Sequence, residues 1–317
     1  MSLTMNGITG QFDFWRRARM PDPLPKSDAI RVVIGCGTSY NLALSVAAAL
    51  SAAGHKALGV PAGEWLDRPQ AYLPEDTAVE VIALSRSGTT TETVRAAIAS
   101  RARGLHVTGI SCAPQTALEA GSDIAIVFDT HPDEGIVMTA SASLMLLAGY
   151  ALAGLRVDAG LAAQAETLLQ ALQAADTARF HNRSHFVFLG GGAHYGVMLE
   201  GGLKLMEMAI TTTQSFHPGE FRHGPISLID EGSAVIMLYH TDSAKADADL
   251  VREVQAKGAF VIGFGGAGDL SLPITAKGDL AGAEVLPALQ FLGERHAQSK
   301  GIDTTAPRHL SKVVVLA

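Results

Sequence analysis

The segment Leu84-Ser85-Arg86-Ser87-Gly88-Thr89-Thr90-Thr91-Glu92-Thr93 decides how the fold of this chain is predicted. It follows an apolar run at 79–84 that is typical of a buried strand, and residues 91–100 are typical of a helix. A strand-to-helix turn directs backbone N–H groups to one point, and the helix dipole adds roughly half a positive charge there. With its hydroxyl side chains and its glycine, the turn predicts a phosphate-binding site. The alternative is an ordinary polar N-cap.

Strand and helix patterns alternate on both sides of this turn. A predicted strand at 31–34 leads into the glycine turn Gly35-Cys36-Gly37-Thr38-Ser39-Tyr40, which is followed by a predicted helix at 41–53. Further predicted strands lie near 58–60, 105–111 and 124–128. This alternation predicts an α/β fold in which a parallel sheet is flanked by helices.

The second half of the chain repeats the first. Residues 186–195 match residues 31–40, and residues 217–221 match residues 61–65. A predicted strand at 234–238 is followed by Tyr-His-Thr-Asp-Ser instead of the S-x-S-G pattern. We therefore expect two domains of one fold, of which only the first binds phosphate.

The repeat suggests four segments. They are an N-terminal helical arm at 1–28, a first domain at 29–160, a second domain at 180–303 and a C-terminal tail at 304–317. A helix near 11–20 is predicted in the arm, where prolines end it. That arm is too short for a helix-turn-helix DNA-binding domain.

The composition indicates a folded protein rather than a disordered one. Hydrophobic residues make up 48% of the chain and charged residues 17%, which indicates a large buried core. The net charge is −7 and no run of Lys or Arg exceeds two residues, so nucleic acid and anionic membranes are poor partners. The two cysteines, Cys36 and Cys112, form no C-x-x-C pattern, and the first residues resemble no signal peptide. We therefore expect a cytoplasmic protein without a zinc site.

Two other segments contain patterns that also occur in membrane spans and in dinucleotide sites. Residues 136–155 carry no charge and reach the length of a membrane span, but they contain Ser and Thr and are isolated in an α/β pattern. They are expected to form a core or subunit-interface helix. Residues 263–268 fit G-x-G-x-x-G, but loop-like residues follow where a dinucleotide site needs a helix, so no such cofactor is expected.

Charged residues occur at helical spacing in the second half. Glu200, Lys204 and Glu207 form one stripe of a helix predicted at 198–210, whose apolar side is formed by Leu199, Leu203, Met206 and Ile210. One interpretation is a solvated salt-bridge face. The other is a functional site, because the helix follows a glycine turn of a parallel sheet, where ligand crevices form.

Two further residues could take part in chemistry. His223 precedes Gly224-Pro225, which indicates a fixed turn, and histidine can move protons near neutral pH. Lys312 lies at the start of a predicted terminal apolar strand, where burial would lower its pKa and let the amine attack a carbonyl. The alternatives are a structural histidine and a terminal surface lysine.

These motifs together match a known family. The chain resembles the isomerase half of glucosamine-6-phosphate synthase and the related double-SIS phosphosugar isomerases and deaminases, over about residues 29 to 317. The matching motifs are G-C-G-T-S-Y at 35–40, S-x-S-G-x-T at 85–90, L-E-G-x-L-K-L-x-E at 199–207, E-x-x-H-G-P at 220–225 and P-R-x-L-x-K at 307–312. The resemblance implies two tandem SIS domains, each a flavodoxin-like three-layer sandwich.

The resemblance also implies a role for each matching position. The sugar phosphate would be bound by Thr38, Ser39, Ser85, Arg86, Ser87 and Thr90, with Arg86 where the synthase has glutamine. Val137 would line the sugar, Glu207 would move the proton between C1 and C2, and Lys312 would form an imine or orient the open sugar. His223, from a neighbouring subunit, would open the ring. Supporting roles would fall to Glu200, Lys204 and Arg308, and the shared site implies a homodimer without metal or cofactor.

Two departures from the synthase bear on the activity. The glutamine-hydrolysing domain is missing from this sequence, so we expect no release of ammonia from glutamine. Around Val137, Met138-Thr139-Ala140-Ser141 differs from the A-S-T-K of the synthase, which leaves the sugar open. Deamination of glucosamine 6-phosphate to fructose 6-phosphate is the first expectation. The alternatives are aldose–ketose isomerisation, cleavage of a sugar-phosphate–amine adduct, and a sensor without turnover.

Overall fold

The computed structural model describes residues 2–314, which fall into two compact units. The first unit contains residues 10–158 and 311–314, and the second contains residues 2–9 and 159–310. Two short helices open the chain, α1 (Leu3–Thr9) in the second unit and α2 (Phe12–Arg17) in the first. The N-terminal arm predicted at 1–28 is therefore divided between the units at Gly10.

The first unit consists of a parallel β-sheet flanked by helices. Its remaining elements, in chain order, are β1 (Ile30–Gly35), α3 (Thr38–Ala52), β2 (Ala57–Pro61), α4 (Ala62–Asp67), β3 (Val79–Leu84), α5 (Thr91–Ala102), β4 (His106–Ser111), α6 (Ala117–Ala120), β5 (Ile124–Val127) and α7 (Ala140–Leu152). All four strand pairs are parallel, in the order β2-β1-β3-β4-β5.

The strand order defines where a ligand can bind in the first unit. The sheet grows outward in both directions from β1 and β3, which pair directly, with Ile34 opposite Ala83. The turns after these two strands therefore lie side by side at the carboxyl edge of the sheet, at the point where the strand order reverses. Ligands of open α/β sheets bind in the crevice at this position.

The second unit has the same kind of architecture. Its elements are α8 (Ala159–Ala174), α9 (Ala178–His181), β6 (His185–Gly190), α10 (Ala193–Ala209), β7 (Thr213–Phe216), α11 (Pro218–Phe221), β8 (Ser233–Leu238), α12 (Ala244–Ala256), β9 (Phe260–Phe264), β10 (Leu270–Leu272) and α13 (Leu280–Ser299). The order β7-β6-β8-β9-β10 reproduces that of the first sheet. The expected α/β class, with two parallel sheets flanked by helices, is confirmed.

Close packing in the second unit depends on glycines of α10 and α13. A Cβ at Gly201 would lie 3.0 Å from the Phe188 ring of β6, and one at Gly293 would lie 3.3 Å from Lys204. These glycines let the backbone of α10 approach β6 and α13 closely. As a result, the side chains on the α13-facing side of α10 are buried, whatever their polarity.

Several sequence-based details are corrected. The face of α10 expected to be its apolar side is the more exposed one, because Met206 and Ile210 are 44% and 42% exposed. The segment after residue 268, expected to be loop, contains the short strand β10. Residues 311–314 form no strand, and the rest of the predicted terminal strand lies outside the described residues.

The uncharged segment at 136–155 forms helix α7, whose residues are all buried. It is therefore a core helix of the first unit. Across residues 2–314, no helix combines the length and the apolar character that crossing a bilayer requires.

Candidate functional site

The turn between β3 and α5 has the geometry of an anion site. Ser85 donates from its hydroxyl to Thr90 at 3.2 Å, and Thr89 donates to the Ser87 hydroxyl oxygen from both its N–H, at 3.2 Å, and its hydroxyl, at 3.0 Å. Gly88 adopts a positive φ of 62°, and Thr116 is so close that a Cβ on Gly88 would lie 2.5 Å from the Thr116 Cβ. The hydroxyls are therefore clustered where helix α5 begins, which suits a phosphate group.

A second turn of the first unit lies beside this one. Gly37 has φ 54° and ψ −124° and is the N-cap residue of α3, so that Thr38 and Ser39 occupy the first helical positions. A Cβ on Gly35 would lie only 2.7 Å from the Ser39 Cβ, which explains why glycine is required there. Because β1 and β3 are neighbours, the hydroxyl of Ser39 belongs to the same edge of the sheet as the turn at 85–90.

The loop that carries Val137 is organised by a buried carboxylate, Glu134. Its Oε1 accepts hydrogen bonds from the Ser141 hydroxyl at 2.8 Å, the Ser141 N–H at 3.1 Å and the Thr139 N–H, and its Oε2 accepts one from Thr130 at 2.6 Å. A carboxylate at the N-terminus of α7 is also stabilised by the helix dipole. Val137 is buried in this ordered loop.

Lys312 and Arg86 contact the same loop. The ammonium of Lys312 donates to the backbone carbonyl of Glu134 at 3.1 Å. The buried guanidinium of Arg86 donates to the carbonyls of Gly135 and Ile136, both at 3.0 Å, and to the carbonyl of Lys312 at 2.5 Å. These contacts differ from the phosphate contact that the resemblance implies for Arg86, and they bring Lys312 to the loop of the first unit.

In the second unit, the charged stripe of α10 is an internal ion network. Lys204 lies 3.1 Å from Glu200 and 2.6 Å from Glu207. The side chains of Lys204 and Glu200 are fully buried, whereas that of Glu207 remains 22% exposed. The solvated salt-bridge interpretation is therefore wrong, because only Glu207 can be reached from outside.

The network fixes the charge of its central residue. Burial alone lowers the pKa of the Lys204 ammonium, but the Glu200 and Glu207 carboxylates outweigh burial, and the net pKa lies above its ordinary value. Lys204 is thus favoured as a cation, and its ammonium donates a hydrogen bond to the Glu207 carboxylate. Since Glu207 is the partly exposed member of the network, its carboxylate is the one that a ligand could contact.

The end of α10 is fixed as well. Ile210 adopts the left-handed conformation, with φ 49° and ψ 52°. The ammonium of Lys300 donates to the carbonyl of Ala209 at 2.6 Å and to the hydroxyl of Thr211 at 3.0 Å, which satisfies the end of the helix. Glu207 therefore lies in the last turn of α10, and the end of this helix is stabilised by the ammonium of Lys300, the C-cap residue of α13.

Two other expected residues are exposed in the second unit. His223 lies on the turn after α11, where Gly224 has φ 120°, and Arg308 lies in the irregular segment after α13. Within the described part of the chain, no group of three or more His, Cys, Asp or Glu side chains could bind a metal ion.

Comparison with known proteins places this geometry in a family. The SIS domain matches residues 27–155 and 179–273, each of which contains one of the two parallel sheets. The chain belongs to the SIS domain family.

Similar proteins with a named activity extend this comparison beyond the family. The chain is 29% identical over 310 residues to the glutamine–fructose-6-phosphate aminotransferase (isomerizing) of Pyrobaculum aerophilum and 31% identical over 316 residues to that of Xylella fastidiosa. Each alignment covers 90% of this chain and 51% of the relative. The chain thus spans about half the length of the curated relatives it matches.

Solved structures match over almost the whole length of both chains. The glucosamine-6-phosphate deaminase of Thermotoga maritima superposes with a TM-score of 0.85 at 29% identity, covering 99% of this chain and 100% of that one. The tagatose-6-phosphate ketose/aldose isomerase of Escherichia coli gives a TM-score of 0.82 at 22% identity, covering 100% and 96%. The second similarity supports the fold alone.

The residue that sequence reasoning missed is Glu134. Its signal is modest: a carboxylate followed at short distance by Thr139 and Ser141, just before an apolar helix. That pattern is related to N-terminal capping, but its spacing is irregular. Only the folded loop brings the donor groups of Thr130, Thr139 and Ser141 to one carboxylate.

Proposed function

We propose that the chain is a glucosamine-6-phosphate deaminase, which converts glucosamine 6-phosphate and water into fructose 6-phosphate and ammonia. The similarity to the Thermotoga maritima deaminase supports this reaction, because both chains are matched over almost their whole length. The free thiols of Cys36 and Cys112 are compatible with the reducing cytoplasm.

Phosphate binding is assigned to the first unit. The hydroxyls of Ser39, Ser85, Ser87 and Thr90, together with Thr38, would donate to the phosphate oxygens at the start of α5 and α3. A phosphate with about −1.5 to −2 charges is stabilised there by N–H groups and by two helix dipoles. No carboxylate lies in the turn before Glu92 to oppose it.

Proton transfer is assigned to Glu207. The observation that carries the proposal is the ion pair between the Glu207 carboxylate and the buried Lys204 ammonium, which lie 2.6 Å apart. In the ring-opened amino sugar, the carboxylate would remove the proton from C2, forming an enolamine, and deliver it to C1. The product is an imine at C2, which water hydrolyses to the ketone and ammonia. A carboxylate held in one orientation suits both transfers.

The remaining residues have supporting roles in this proposal. Lys312 would either form an imine with the sugar or orient its open form, and His223 would protonate the ring oxygen as the ring opens. Val137 would pack against the sugar, and Arg308 and Glu200 would support these groups.

We also propose that two copies of the chain form a homodimer, in which His223 serves the site of the partner. The exposed apolar side chains of the second unit support this, since Met206, Ile210 and Leu228 are between 42% and 54% exposed. Apolar surface of this kind is favourably buried against another protein.

A substrate panel tests the reaction. Hexose and hexosamine 6-phosphates are incubated with the protein, and ammonia and ketose are assayed together. Equal amounts of ammonia and ketose from glucosamine 6-phosphate are expected. Ketose without ammonia would indicate an aldose–ketose isomerase, and amine release from a sugar-phosphate–amine adduct would indicate a deglycase. Binding without turnover across the panel would indicate a sensor.

A further inference from the structure

Arg86 occupies an unusual place in the first unit. Its backbone is part of the phosphate turn, between Ser85 and Ser87, and its carbonyl accepts from the N–H of Cys112 at 2.9 Å. Its side chain leaves the turn and is buried. A guanidinium has five N–H donors in a rigid plane and keeps its charge even when it is buried, so it can join several acceptors at once.

The acceptors belong to two segments that are distant in sequence. Nη1 donates to the carbonyls of Gly135 and Ile136 in the Val137 loop, and Nη2 donates to the carbonyl of Lys312 in the tail. These three acceptors are backbone oxygens. The guanidinium therefore fixes the course of the chain on either side of it, whatever side chains those residues carry.

The two segments are also joined directly. The Lys312 ammonium donates to the carbonyl of Glu134, and the Glu134 carboxylate is itself held by Thr130, Thr139 and Ser141. Residues 311–314 belong to no strand, and the backbone carbonyl of Lys312 is held instead by Arg86. Arg86 is thus the charged contact that fastens the Lys312 backbone.

We propose that Arg86 is a positioning residue that fastens the Lys312 segment and the Val137 loop to the phosphate turn, an inference that rests on the proposed function for its catalytic consequences. Phosphate binding at the turn and ordering of the tail are then coupled. By thermodynamic reciprocity, a phosphate ligand stabilises the attached tail, and an attached tail strengthens phosphate-ester binding.

The synthase that this chain resembles has a glutamine in place of Arg86, and a glutamine could not make the same three contacts. Its amide has two donors on a single nitrogen and a shorter side chain, so it cannot join three carbonyls of two segments. Arg86→Gln, Arg86→Met and Arg86→Lys therefore form a graded series. Exposed Arg95, on α5 just after the turn, gives the matched control Arg95→Met.

Limited trypsin digestion tests the fastening without any activity. The Lys312 carbonyl that accepts from Arg86 is the carbonyl of the Lys312–Val313 peptide bond, which trypsin cleaves. Cleavage after exposed Arg308 serves as the internal reference. We expect Arg86→Met to raise the rate at Lys312 roughly tenfold relative to Arg308, Arg86→Lys to raise it less, and Arg95→Met to leave it unchanged. Glucitol 6-phosphate, a non-reacting ligand, should slow this cleavage in the wild type and not in Arg86→Met.

Kinetic and binding measurements distinguish a positioning role of Arg86 from direct contact between Arg86 and the phosphate. We expect Arg86→Met to lower kcat about ten- to a hundredfold and to bind glucitol 6-phosphate with an affinity within a few-fold of wild type. Arg86→Lys should retain more of the wild-type kcat than Arg86→Met. Unchanged cleavage at Lys312 in both Arg86→Met and Arg86→Lys overturns the proposal. Loss of glucitol 6-phosphate binding as large as that of Ser87→Ala also overturns it, because Arg86 would then bind phosphate directly. A wild type without turnover refutes the proposed function but leaves the cleavage result to decide the fastening.

Discussion

At the scale of single residues, the proposed reaction depends on the Glu207 carboxylate. Glu207→Gln keeps an oxygen that can accept from Lys204, so the fold of α10 should be preserved while the base is lost. We expect kcat for glucosamine 6-phosphate to fall about a thousandfold, with glucitol 6-phosphate binding within a few-fold of wild type. Steady-state kinetics and calorimetry measure the two quantities.

Exposed Glu231 supplies the control for that substitution, and Glu231→Gln should behave as wild type. Full turnover in Glu207→Gln would remove this residue from the mechanism.

A second prediction at this scale concerns pH and His296. Burial, followed by the neighbouring His181 and Lys300, lowers the pKa of His296 to about 4. In the unfolded chain its pKa is near 6.5, so the unfolded state binds more protons between these values. The contribution of neutral His296 to stability is therefore fully present above about pH 6.5. As the pH falls toward 4, the free energy of unfolding decreases by about 1.4 kcal/mol per pH unit.

Urea unfolding at several pH values measures this dependence. His296→Phe keeps an aromatic ring against Phe180 and Phe186, whose ring centroids lie 5.8 and 4.8 Å away, and removes the titrating group. We expect the variant to lose less stability than wild type between pH 6.5 and 5. Exposed His106 gives the control His106→Asn, and an equal pH slope in all three proteins would contradict the prediction.

At the scale of elements, the charged stripe of α10 couples stability to activity. Lys204→Met leaves the fully buried Glu200 carboxylate without its cation, which we expect to lower the free energy of unfolding by about 3–5 kcal/mol. The double variant Lys204→Met/Glu200→Gln removes both charges and should recover much of that stability, but not the turnover. Urea unfolding and kinetics measure the two effects, and exposed Lys257→Met is the control.

Equal stability of the single and double variants would contradict the buried pairing. Recovery of turnover in the double variant would show that Lys204 does not orient Glu207.

The phosphate turn gives another prediction at this scale. Gly88→Ala combines the cost of a positive φ, about 1–2 kcal/mol, with a Cβ that collides with Thr116. Gly104→Ala is the matched control, because Gly104 also has a positive φ, 79°, but has open space around it. We expect Gly88→Ala alone to raise KM for the sugar phosphate at least tenfold. Similar KM values for the two variants would separate this turn from phosphate binding.

At the scale of the whole molecule, the proposed homodimer with shared sites predicts complementation. Glu207→Gln and His223→Ala chains, each inactive alone, should recover a fraction of activity when mixed and allowed to exchange subunits, because a hybrid dimer contains one complete site. A mixture of Glu207→Gln with the Glu207→Gln/His223→Ala double variant cannot form such a site and is the control.

Sedimentation of the wild type should accompany this mixing experiment. A monomer would contradict the dimer, and a dimer without complementation would place the action of His223 within its own chain.

Much of the architecture could be predicted from local sequence. Strand and helix periods follow from side-chain alternation, and glycines such as Gly37 and Gly88 are required where the backbone adopts a positive φ. The parallel arrangement of the strands also follows from the alternation of strand and helix patterns, whereas the order of the strands is seen only in the folded sheets. The sequence alone is therefore enough to predict two parallel α/β sheets.

Local sequence patterns are enough to predict the fold class, a candidate anion site in the turn at 85–90 and the stripe of Glu200, Lys204 and Glu207, because these depend on neighbours along one strand or helix. Tertiary structure alone decided which face of α10 is buried, since close packing through Gly293 overrides the polarity of its side chains. It also decided the contacts of Arg86, because a long side chain can turn from its own loop toward carbonyls more than two hundred residues away in sequence, as at Lys312. Such contacts depend on how separate segments meet in space, which no local pattern of residues encodes.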